Sequence, residues 1–310
     1  QPVARPGIPM NRTSEPFSTL RSAARYVRQF RSKIFVVKLG GELLDDPQLR
    51  RNVCAQLAVL WSFSIPLVIV HGGGTGLDSL CETMGLPTEK VAGRRVTPPE
   101  VLEAAKMAFK GRLQMDLLAD LEGAGVPTVG LSGLDGGLLR AEKRPPVMVD
   151  GQMVDFGLVG DVKAVDPALL KHLIAGGYVP VVAPFTADAS GQVFNTNADT
   201  VAASLAQALG AEKLFFLLAV PGLLRDVKEP SSLVPFADLK DLAVLEGEGV
   251  VQGGMRPKVT AAKAALRGGV PAVHLVSGLG QDALLTEVFT NEGSGTMLVA
   301  NGVPAEGGGA

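Results

Sequence analysis

Strongly apolar segments alternate with amphipathic ones from residue 33 onward. The apolar segments predict buried strands at 33–38, 66–70, 127–131, 178–183, 212–218 and 271–276. Between them, apolar residues spaced by three or four predict helices at 49–61, 98–122, 167–175, 198–210 and 257–268. Because such strands separated by helices are covered on both faces, the pattern predicts an α/β protein. We expect an open, mainly parallel, twisted central sheet between helical layers.

Other segments interrupt this alternation and divide the chain. Residues 136–160 are short, glycine-punctuated and β-like, which predicts hairpins added at a sheet edge. The segment 184–194 is polar and built from small residues. We therefore expect one lobe over 33–187 and a second over 188–300. The ends, 1–13 and 301–310, are predicted to be disordered tails.

A basic amphipathic helix is predicted before the first strand, over residues 14–32. Ser14 suits the N-cap, and Pro16 suits the first turn. Arginines occupy positions between the apolar residues. Such a helix would either pack on its own domain or pair with a neighbouring subunit.

Composition and charge exclude several classes of protein. The chain has 38 Gly and 21 Pro, but 46% of its residues are hydrophobic, which excludes collagen and general disorder. A net charge of −2 provides no field that would recruit nucleic acid or an anionic membrane. The longest apolar stretch, 214–224, is too short to span a bilayer. Two cysteines make no disulfide framework and fit a reducing cytosol, so we expect a cytoplasmic protein.

Three of the predicted parallel strands end in glycine-rich turns, at 39–41, 71–74 and 130–137. Ligands of open α/β sheets bind beyond the carboxyl ends of the strands. Glycine lets backbone N–H groups approach a ligand closely, and a helix that begins after such a turn attracts anions. The three turns together predict a phosphate or carboxylate ligand.

Several common catalytic arrangements are missing from the sequence. There is no G-x-x-x-x-G-K-[ST] motif, and Leu77 occupies the last glycine position of a G-x-G-x-x-G pattern that begins at Gly72. An ordinary P-loop enzyme and a dinucleotide oxidoreductase are therefore disfavoured. His71, His172 and His274 lack metal-ligand spacing, so no metal site made of side chains is predicted.

Five polar residues are candidates for chemistry, each with a plainer alternative. Lys38 is the last residue of a predicted apolar strand. It is either an outward-pointing surface charge or a cation that faces a bound phosphate. Lys258 begins a helix whose dipole opposes a cation, which makes most sense beside a bound anion. Asn195 and Asp199 lie at the start of a predicted helix and could simply cap it. Arg95 either binds a carboxylate through two hydrogen bonds of its guanidinium group or is an ordinary surface residue.

Eight separated blocks of the sequence resemble the amino acid kinase family, and most closely its acetylglutamate kinases. They are KLGG (38–41), VHGGG (70–74), GRRVT (93–97), GLSGLDGGLL (130–139), DFGLVGD (155–161), NTNAD (195–199), GGMRPK (253–258) and EGSGT (292–296). The resemblance extends from about residue 33 to 298 and implies the αβα sandwich of that family. Residues 23–33 also resemble the N-terminal extension through which arginine-inhibited members form hexamers.

The resemblance implies an ATP-dependent kinase that phosphorylates the side-chain carboxylate of N-acetyl-L-glutamate, the second step of arginine biosynthesis. It implies that Mg²⁺ is bound through the nucleotide phosphates. The first lobe would bind the amino acid and the second lobe the nucleotide. A homodimer or a hexamer built as a trimer of dimers is implied, with arginine as a feedback inhibitor.

The resemblance also assigns residues to roles. Lys38, Asp199 and Lys258 would be catalytic, with Asp199 orienting the two lysines. The acceptor amino acid would be bound by Gly73, Gly74, Arg95 and Asn195. The nucleotide would be bound by Lys38, Gly40, Gly41, Gly222 and Lys258.

Some positions depart from the family pattern. Ala219 stands where an aspartate near the nucleotide is usual, and Leu134 stands where acetylglutamate kinases commonly have lysine. The long helix carries Gly111–Met115 in place of G-K-V-N-K. Two alternatives therefore stay open. One is a kinase of acetylated or carrier-linked aminoadipate or glutamate. The other is a catalytically weak regulator that binds arginine or nucleotide.

Overall fold

The computed structural model describes residues 24–149 and 151–302. The predicted tail 1–13, residues 303–310 of the predicted tail 301–310, and residues 14–23 of the predicted first helix lie outside the described residues. No helix in the described part is long and apolar enough to cross a membrane.

Sixteen strands and eleven α-helices are formed by the described residues. The strands are β1 (Phe35–Leu39), β2 (Leu67–His71), β3 (Lys90–Val91), β4 (Arg94–Arg95), β5 (Thr128–Ser132), β6 (Leu139–Lys143), β7 (Val147–Val149), β8 (Gln152–Val154), β9 (Gly160–Val165), β10 (Val179–Ala183), β11 (Phe185–Ala187), β12 (Val193–Asn195), β13 (Lys213–Leu218), β14 (Phe236–Ala237), β15 (Ala272–Ser277) and β16 (Thr296–Val299). The helices are α1 (24–30), α2 (Gly41–Asp45), α3 (Pro47–Ser62), α4 (Gly74–Thr83), α5 (Pro99–Lys106), α6 (Gln114–Gly123), α7 (Ala168–Ala175), α8 (Ala198–Leu209), α9 (Leu239–Gly247), α10 (Met255–Arg267) and α11 (Ala283–Phe289).

Eight strands form one sheet in the order β14-β16-β15-β13-β1-β2-β10-β5. Only the β15–β16 pair is antiparallel among the described pairs of this sheet. The predicted α/β class and the mainly parallel sheet are therefore confirmed. The sheet also joins the two halves of the chain, because β1 pairs with β13 over five residues.

Alternate residues of β1 enter two different cores. Val37 and Leu39 pack on the face covered by α3, α6 and α11, whereas Val36 packs on the face covered by α8 and α10. This follows from the two-residue period of a strand. Lys38, two residues after Val36, therefore lies on the α8 side of the sheet.

The β-like segment 136–160 forms β structure, and the sheet edge that it occupies belongs to a second sheet and not to the main one. β6 and β9 belong to a second, four-stranded sheet of order β12-β11-β6-β9. β7 and β8 form a separate hairpin. The polar segment near 188 connects β11 to β12 in this second sheet.

The long helix predicted over 98–122 forms, but it is not uniform. A π-helical turn, Met107–Leu113, separates α5 from α6. Turns of this type insert an extra residue and redirect the side chains that follow. The described part of the first helix, α1, packs on its own domain, because Phe30 is buried against Phe35.

Candidate active site

A cavity of about 750 Å³ opens beyond the carboxyl ends of β1, β2 and β13. It is lined by all ten residues that the sequence singled out: Lys38, Gly40, Gly41, Gly73, Gly74, Arg95, Asn195, Asp199, Gly222 and Lys258. The chain brings them from both halves of the sequence to one place. Open α/β sheets bind their ligands at the carboxyl ends of the parallel strands, which is where this cavity lies.

Four helices begin at this cavity. Their first turns contribute Gly41 of α2, Gly74 of α4, Asp199 of α8 and Met255 of α10 to its wall. The first N–H groups of a helix have no intrahelical acceptor, and the helix dipole adds partial positive charge there. Four helix starts at one cavity make it suited to anions.

Asp199 lies between two lysines. Its Oδ1 is 2.8 Å from Nζ of Lys38, and its Oδ2 is 3.4 Å from Nζ of Lys258. Asp199 is 3% exposed and Lys38 is 6% exposed, so solvent has almost no access to this pair. Lys258 also donates to the carbonyl of Gly254, at 3.2 Å. One carboxylate thus orients two cations at the cavity wall.

Burial and mutual charge shift the pKa values of this group. Burial lowers the pKa of Lys38, although the charge of Asp199 opposes that shift. Burial alone would raise the pKa of Asp199, but the charges of Lys38 and Lys258 outweigh it and hold the pKa below its usual value. Asp199 is therefore a carboxylate at neutral pH and a poor proton acceptor.

The glycine turns after β1 and β2 touch each other. A Cβ on Gly41 would lie 3.1 Å from the Cα of Gly73, and one on Gly73 would lie 2.6 Å from the ring of Phe109. Glycine is needed here for close packing as well as for access to a ligand. The N–H of Gly40 donates to the carbonyl of Leu217, at 3.1 Å, so that group is already used within the fold.

The third glycine turn, at 130–137, does not reach the cavity wall. Gly133 packs against β11 instead, where an added Cβ would lie 2.3 Å from the carbonyl oxygen of Phe185. Our expectation that this turn joins the anion site is therefore wrong. The reason is topological, because β10 separates β5 from β2 in the sheet.

Arg95 is held in place by an acidic neighbour. Its Nη2 is 2.6 Å from Asp78 and donates to the carbonyl of Gly74, at 3.0 Å. Lys90 approaches the other oxygen of Asp78, also at 2.6 Å. Nη1 of Arg95 is buried and has no hydrogen-bond partner within the described part of the chain. The guanidinium is thus oriented and still has donors to offer.

The two remaining candidates, Asn195 and Gly222, also line the cavity. Asn195 ends β12 and donates to the hydroxyl of Thr97, at 3.2 Å. Gly222 has a φ of 157°, and an added Cβ would lie 2.7 Å from the hydroxyl oxygen of Thr296. Its neighbours Leu223 and Leu224 make this end of the cavity apolar.

Sequence reasoning missed several polar residues of the wall, notably Asp78, Lys90 and Arg144. Asp78 lies one turn after the glycines, on α4. Arg144 is 7% exposed and donates through Nε to Asp161, at 3.0 Å. Nothing in their local sequence marks them, because their importance comes from contacts across strands and hairpins. Lys90 and Arg144 add positive charge to the wall, whereas Asp78 pairs with Lys90 and Arg95.

The described residues contain no group of three or more His, Cys, Asp or Glu side chains arranged to hold a metal ion. Both oxygens of Asp199 already face lysines. The cavity therefore offers paired cations and helix starts to an anionic ligand such as a phosphate.

Comparison with known proteins agrees with this geometry. Residues 33–277 match the family model described as the amino acid kinase family. The chain belongs to this family. It is 61% identical over 291 residues to a protein named acetylglutamate kinase from Myxococcus xanthus, covering 92% of this chain and 94% of that one. A protein of the same name from Heliobacterium modesticaldum is 39% identical over 294 residues, covering 94% of this chain and 100% of that one.

Solved structures of similar fold include the N-acetylglutamate synthase from Neisseria gonorrhoeae, complexed with coenzyme A and N-acetyl-glutamate. It matches with a TM-score of 0.81 and 30% identity over 94% of this chain, which spans 65% of the synthase. Carbamate kinase from Giardia lamblia matches with a TM-score of 0.64 and 16% identity, covering 87% of this chain and 99% of that one. The second likeness supports the fold alone.

Proposed function

We propose that this protein transfers the γ-phosphoryl group of ATP to the side-chain carboxylate of N-acetyl-L-glutamate. The products are ADP and N-acetylglutamyl 5-phosphate, in arginine biosynthesis. The observation that carries the proposal is the Lys38–Asp199–Lys258 group in a cavity where four helices begin. The relatives named acetylglutamate kinase, one at 61% identity, support the choice of acceptor.

The lysines neutralise charge in the transition state. Phosphoryl transfer requires in-line placement of donor and acceptor and stabilisation of the oxygens of the transferred group. Lys38 and Lys258 present their ammonium groups from β1 and α10, on either side of Asp199. Asp199 orients them and does not act as a base, because the attacking carboxylate carries no proton at neutral pH.

Arg95 and Asn195 would bind the α-carboxylate and the acetamido group of the acceptor. The free Nη1 of Arg95 and its fixed orientation by Asp78 support this role. Gly73 and Gly74 would bind the attacking carboxylate through the start of α4. Gly73, Gly74 and Arg95 belong to the proposed acceptor lobe, 33–187, whereas Asn195 belongs to the lobe 188–300. The proposed acceptor site therefore contains residues of both lobes.

The nucleotide would occupy the other half of the cavity, in the lobe 188–300. Gly222, the leucines beside it and Lys258 all line the cavity, which supports this placement. Gly40 and Gly41 would lie beside the phosphates at the start of α2. Mg²⁺ would be held by the nucleotide phosphates, where it neutralises their charge.

The alternatives raised by the sequence receive no support from the geometry. Leu134 is 39% exposed and does not line the cavity, so it gives no reason to prefer a longer acceptor. Ala219 does line the cavity, but the charged group remains complete beside it. A regulator without catalysis would have no need of that group.

We also propose that arginine is a feedback inhibitor and that the protein forms homodimers or hexamers. A solved structure of the N-acetylglutamate synthase, complexed with coenzyme A and L-arginine, covers 93% of this chain with a TM-score of 0.79. The exposed side chains of Met107 and Met115, on the long helix, support a subunit contact there. Mass in solution and ADP formation with added arginine test these two statements.

A substrate panel tests the main proposal. ADP release would be followed with ATP and either N-acetyl-L-glutamate, N-acetyl-L-aminoadipate or no acceptor, with hydroxylamine trapping of the acyl phosphate. We expect trapped product with acetylglutamate at a rate well above the other two. A Lys258→Ala variant purified in the same way is the control, because activity that remains in it measures contaminating kinases. Absence of turnover with acetylglutamate would refute the proposal, and faster turnover with aminoadipate would replace it with the alternative.

A further inference from the structure

A buried glutamine lies directly behind the glycine turn that follows β2. Gln114 begins α6 immediately after the π-helical turn and is 2% exposed. Its Nε2 is 2.9 Å from the carbonyl oxygens of both Leu131 and Val181, and 3.3 Å from Nε2 of His71. One side-chain amide therefore joins strands β2, β5 and β10.

These contacts fix which way the amide faces. Carbonyl oxygens only accept hydrogen bonds, so the NH₂ group of Gln114 must face Leu131 and Val181. The opposite orientation would set the amide oxygen against two carbonyl oxygens. The two protons of this NH₂ group serve the two carbonyls, and Nε2 of His71 faces the same nitrogen at 3.3 Å, so a proton on Nε2 would point at a group that cannot accept it. The single proton of the neutral ring then lies on Nδ1, which donates to the carbonyl of Gly72, at 3.4 Å.

The ring of His71 is fully buried. Burial lowers the pKa of His71 to about 4, and the charge of Lys110 adds to the shift while the hydrogen bond to Gly72 opposes it. His71 is therefore neutral at pH 7, so its state at that pH is one defined tautomer. A charged ring would have to donate from both nitrogens, which the facing NH₂ group does not permit.

The neighbouring backbone leaves room for this arrangement. An added Cβ at Gly130 would lie 3.0 Å from the Oε1 of Gln114, so glycine in β5 admits the amide. Phe109 and Leu113 of the π-helical turn pack directly on Gly73. The same stretch of helix thus contacts the glycine turn from behind through two apolar side chains and one amide.

We propose that Gln114 and His71 are positioning residues for the turn formed by residues 72–74. Gln114 sets the Nδ1–H tautomer of His71, and that N–H holds the carbonyl of Gly72. The start of α4 then keeps its direction toward the acceptor carboxylate. The kinetic consequence rests on the proposed function, whereas the tautomer does not.

The tautomer is measured by ¹⁵N NMR of protein labelled at histidine, without substrates and at pH 7. A His71→Asn variant assigns the signals. We expect a pyrrole-type signal at Nδ1 and a pyridine-type signal at Nε2 of His71. In a Gln114→Met variant no NH₂ group faces Nε2, so the Nε2–H tautomer should become populated and the two signals should move toward each other. A wild-type ring protonated at Nε2, or variant signals identical to those of the wild type, would overturn the proposal.

Kinetics test the positioning role. We expect Gln114→Met to lower kcat/KM for the acyl amino acid by about 10–100-fold, since small misplacements of a reacting group cost that much, with KM for ATP within about two-fold. His71→Asn, which places an amide N–H near the position of Nδ1, should retain more activity than His71→Leu.

Gln56 provides a matched control. It is 3% exposed on α3, accepts from the N–H of Leu284 at 2.9 Å and donates to Gly280 at 3.4 Å, away from the cavity. Gln56→Met should lose stability and keep its kinetic constants. Equal kinetic losses in the Gln56 and Gln114 variants would overturn the positioning role. If wild-type protein does not phosphorylate acetylglutamate, the proposed function fails while the NMR result still decides the tautomer.

Discussion

Two buried lysines lie at opposite ends of neighbouring strands, and the balance of charge around them differs. Lys38 lies near the carboxyl end of β1, and Lys213 begins β13, which pairs with β1. Lys38 and Lys258 share the single carboxylate of Asp199 at a cavity, so that group has an excess positive charge. Burial lowers the pKa of both Lys38 and Lys213, in the second case to about 8.

The group around Lys213 has no such excess. Nζ of Lys213 is 2.9 Å from Nε2 of His274, whose Nδ1 is 2.6 Å from Glu287. Glu287 also accepts from the N–H groups of Ser294 and Gly295, at 2.6 and 3.1 Å. One cation, one anion and a neutral ring balance each other, and they connect α11 to the sheet. Burial of charge alone therefore does not distinguish the proposed phosphoryl site from a structural ion group. Uncompensated positive charge beside open space does.

Exchanging each lysine for methionine gives the largest expected contrast. Lys38→Met should lower kcat by about a thousand-fold or more, since preorganised charge at a transition state is worth several kcal/mol. Lys213→Met should leave kcat within about two-fold. Steady-state ADP formation with acetylglutamate measures both. Similar losses in the two variants would show that charge balance does not separate the groups.

Removing the shared carboxylate should have a smaller and pH-dependent effect. In Asp199→Asn, Lys38 loses the charge that opposes its burial, so its pKa falls further. We expect kcat to fall about 10–100-fold at pH 8 and to recover partly at lower pH, where Lys38 is protonated again. A pH–rate profile that keeps the shape of the wild-type profile would contradict this role for Asp199.

The balanced group should contribute to stability and not to rate. Glu287→Ala leaves Lys213 and His274 without their carboxylate, and breaking a buried pair typically costs about 3 kcal/mol. Urea denaturation should show that loss in the free energy of unfolding, with kcat unchanged. Glu287→Gln keeps the shape of the side chain and should lose less. A loss of kcat without a loss of stability would assign this group to catalysis.

Acid should destabilise the protein through its two buried histidines. Burial, together with the charge of Lys213, lowers the pKa of His274 to about 4, and His71 has a similar value. Both lie below the ordinary 6.5, so the unfolded chain binds more protons between pH 4 and 6.5. Stability is then complete above pH 6.5 and falls as the pH drops toward 4, by up to about 1.4 kcal/mol per pH unit for each histidine. Chemical denaturation at pH 7, 6 and 5 checks this, and a His274→Phe variant should show a weaker dependence.

Much of the main sheet could be predicted because its strands are apolar throughout. The six predicted strands all form, and glycine turns after β1 and β2 indicated the edge that holds the cavity. The second sheet could not be placed, since its short strands pair across distant segments such as β6 and β11. Nor could the π-helical turn, whose place depends on packing against Gly73.

The same limit applies within the cavity. Lys38 and Lys258 were predictable because a cation at a strand end or a helix start is locally unfavourable. Asp78 and Gln114 were not, because a carboxylate or an amide on a helix is ordinary until its partners are known. Arg95 and His71, their partners, lie 17 and 43 positions away in the chain.

The pairing of β1 with β13 has a mechanical consequence. Since the two halves share one continuous sheet, with α8 packed across β1, β2 and β13, they cannot swing apart about a flexible linker without breaking backbone hydrogen bonds. A change in the distance between the two halves of the cavity would therefore involve either the twist of the sheet or the loops and helix starts that line the cavity.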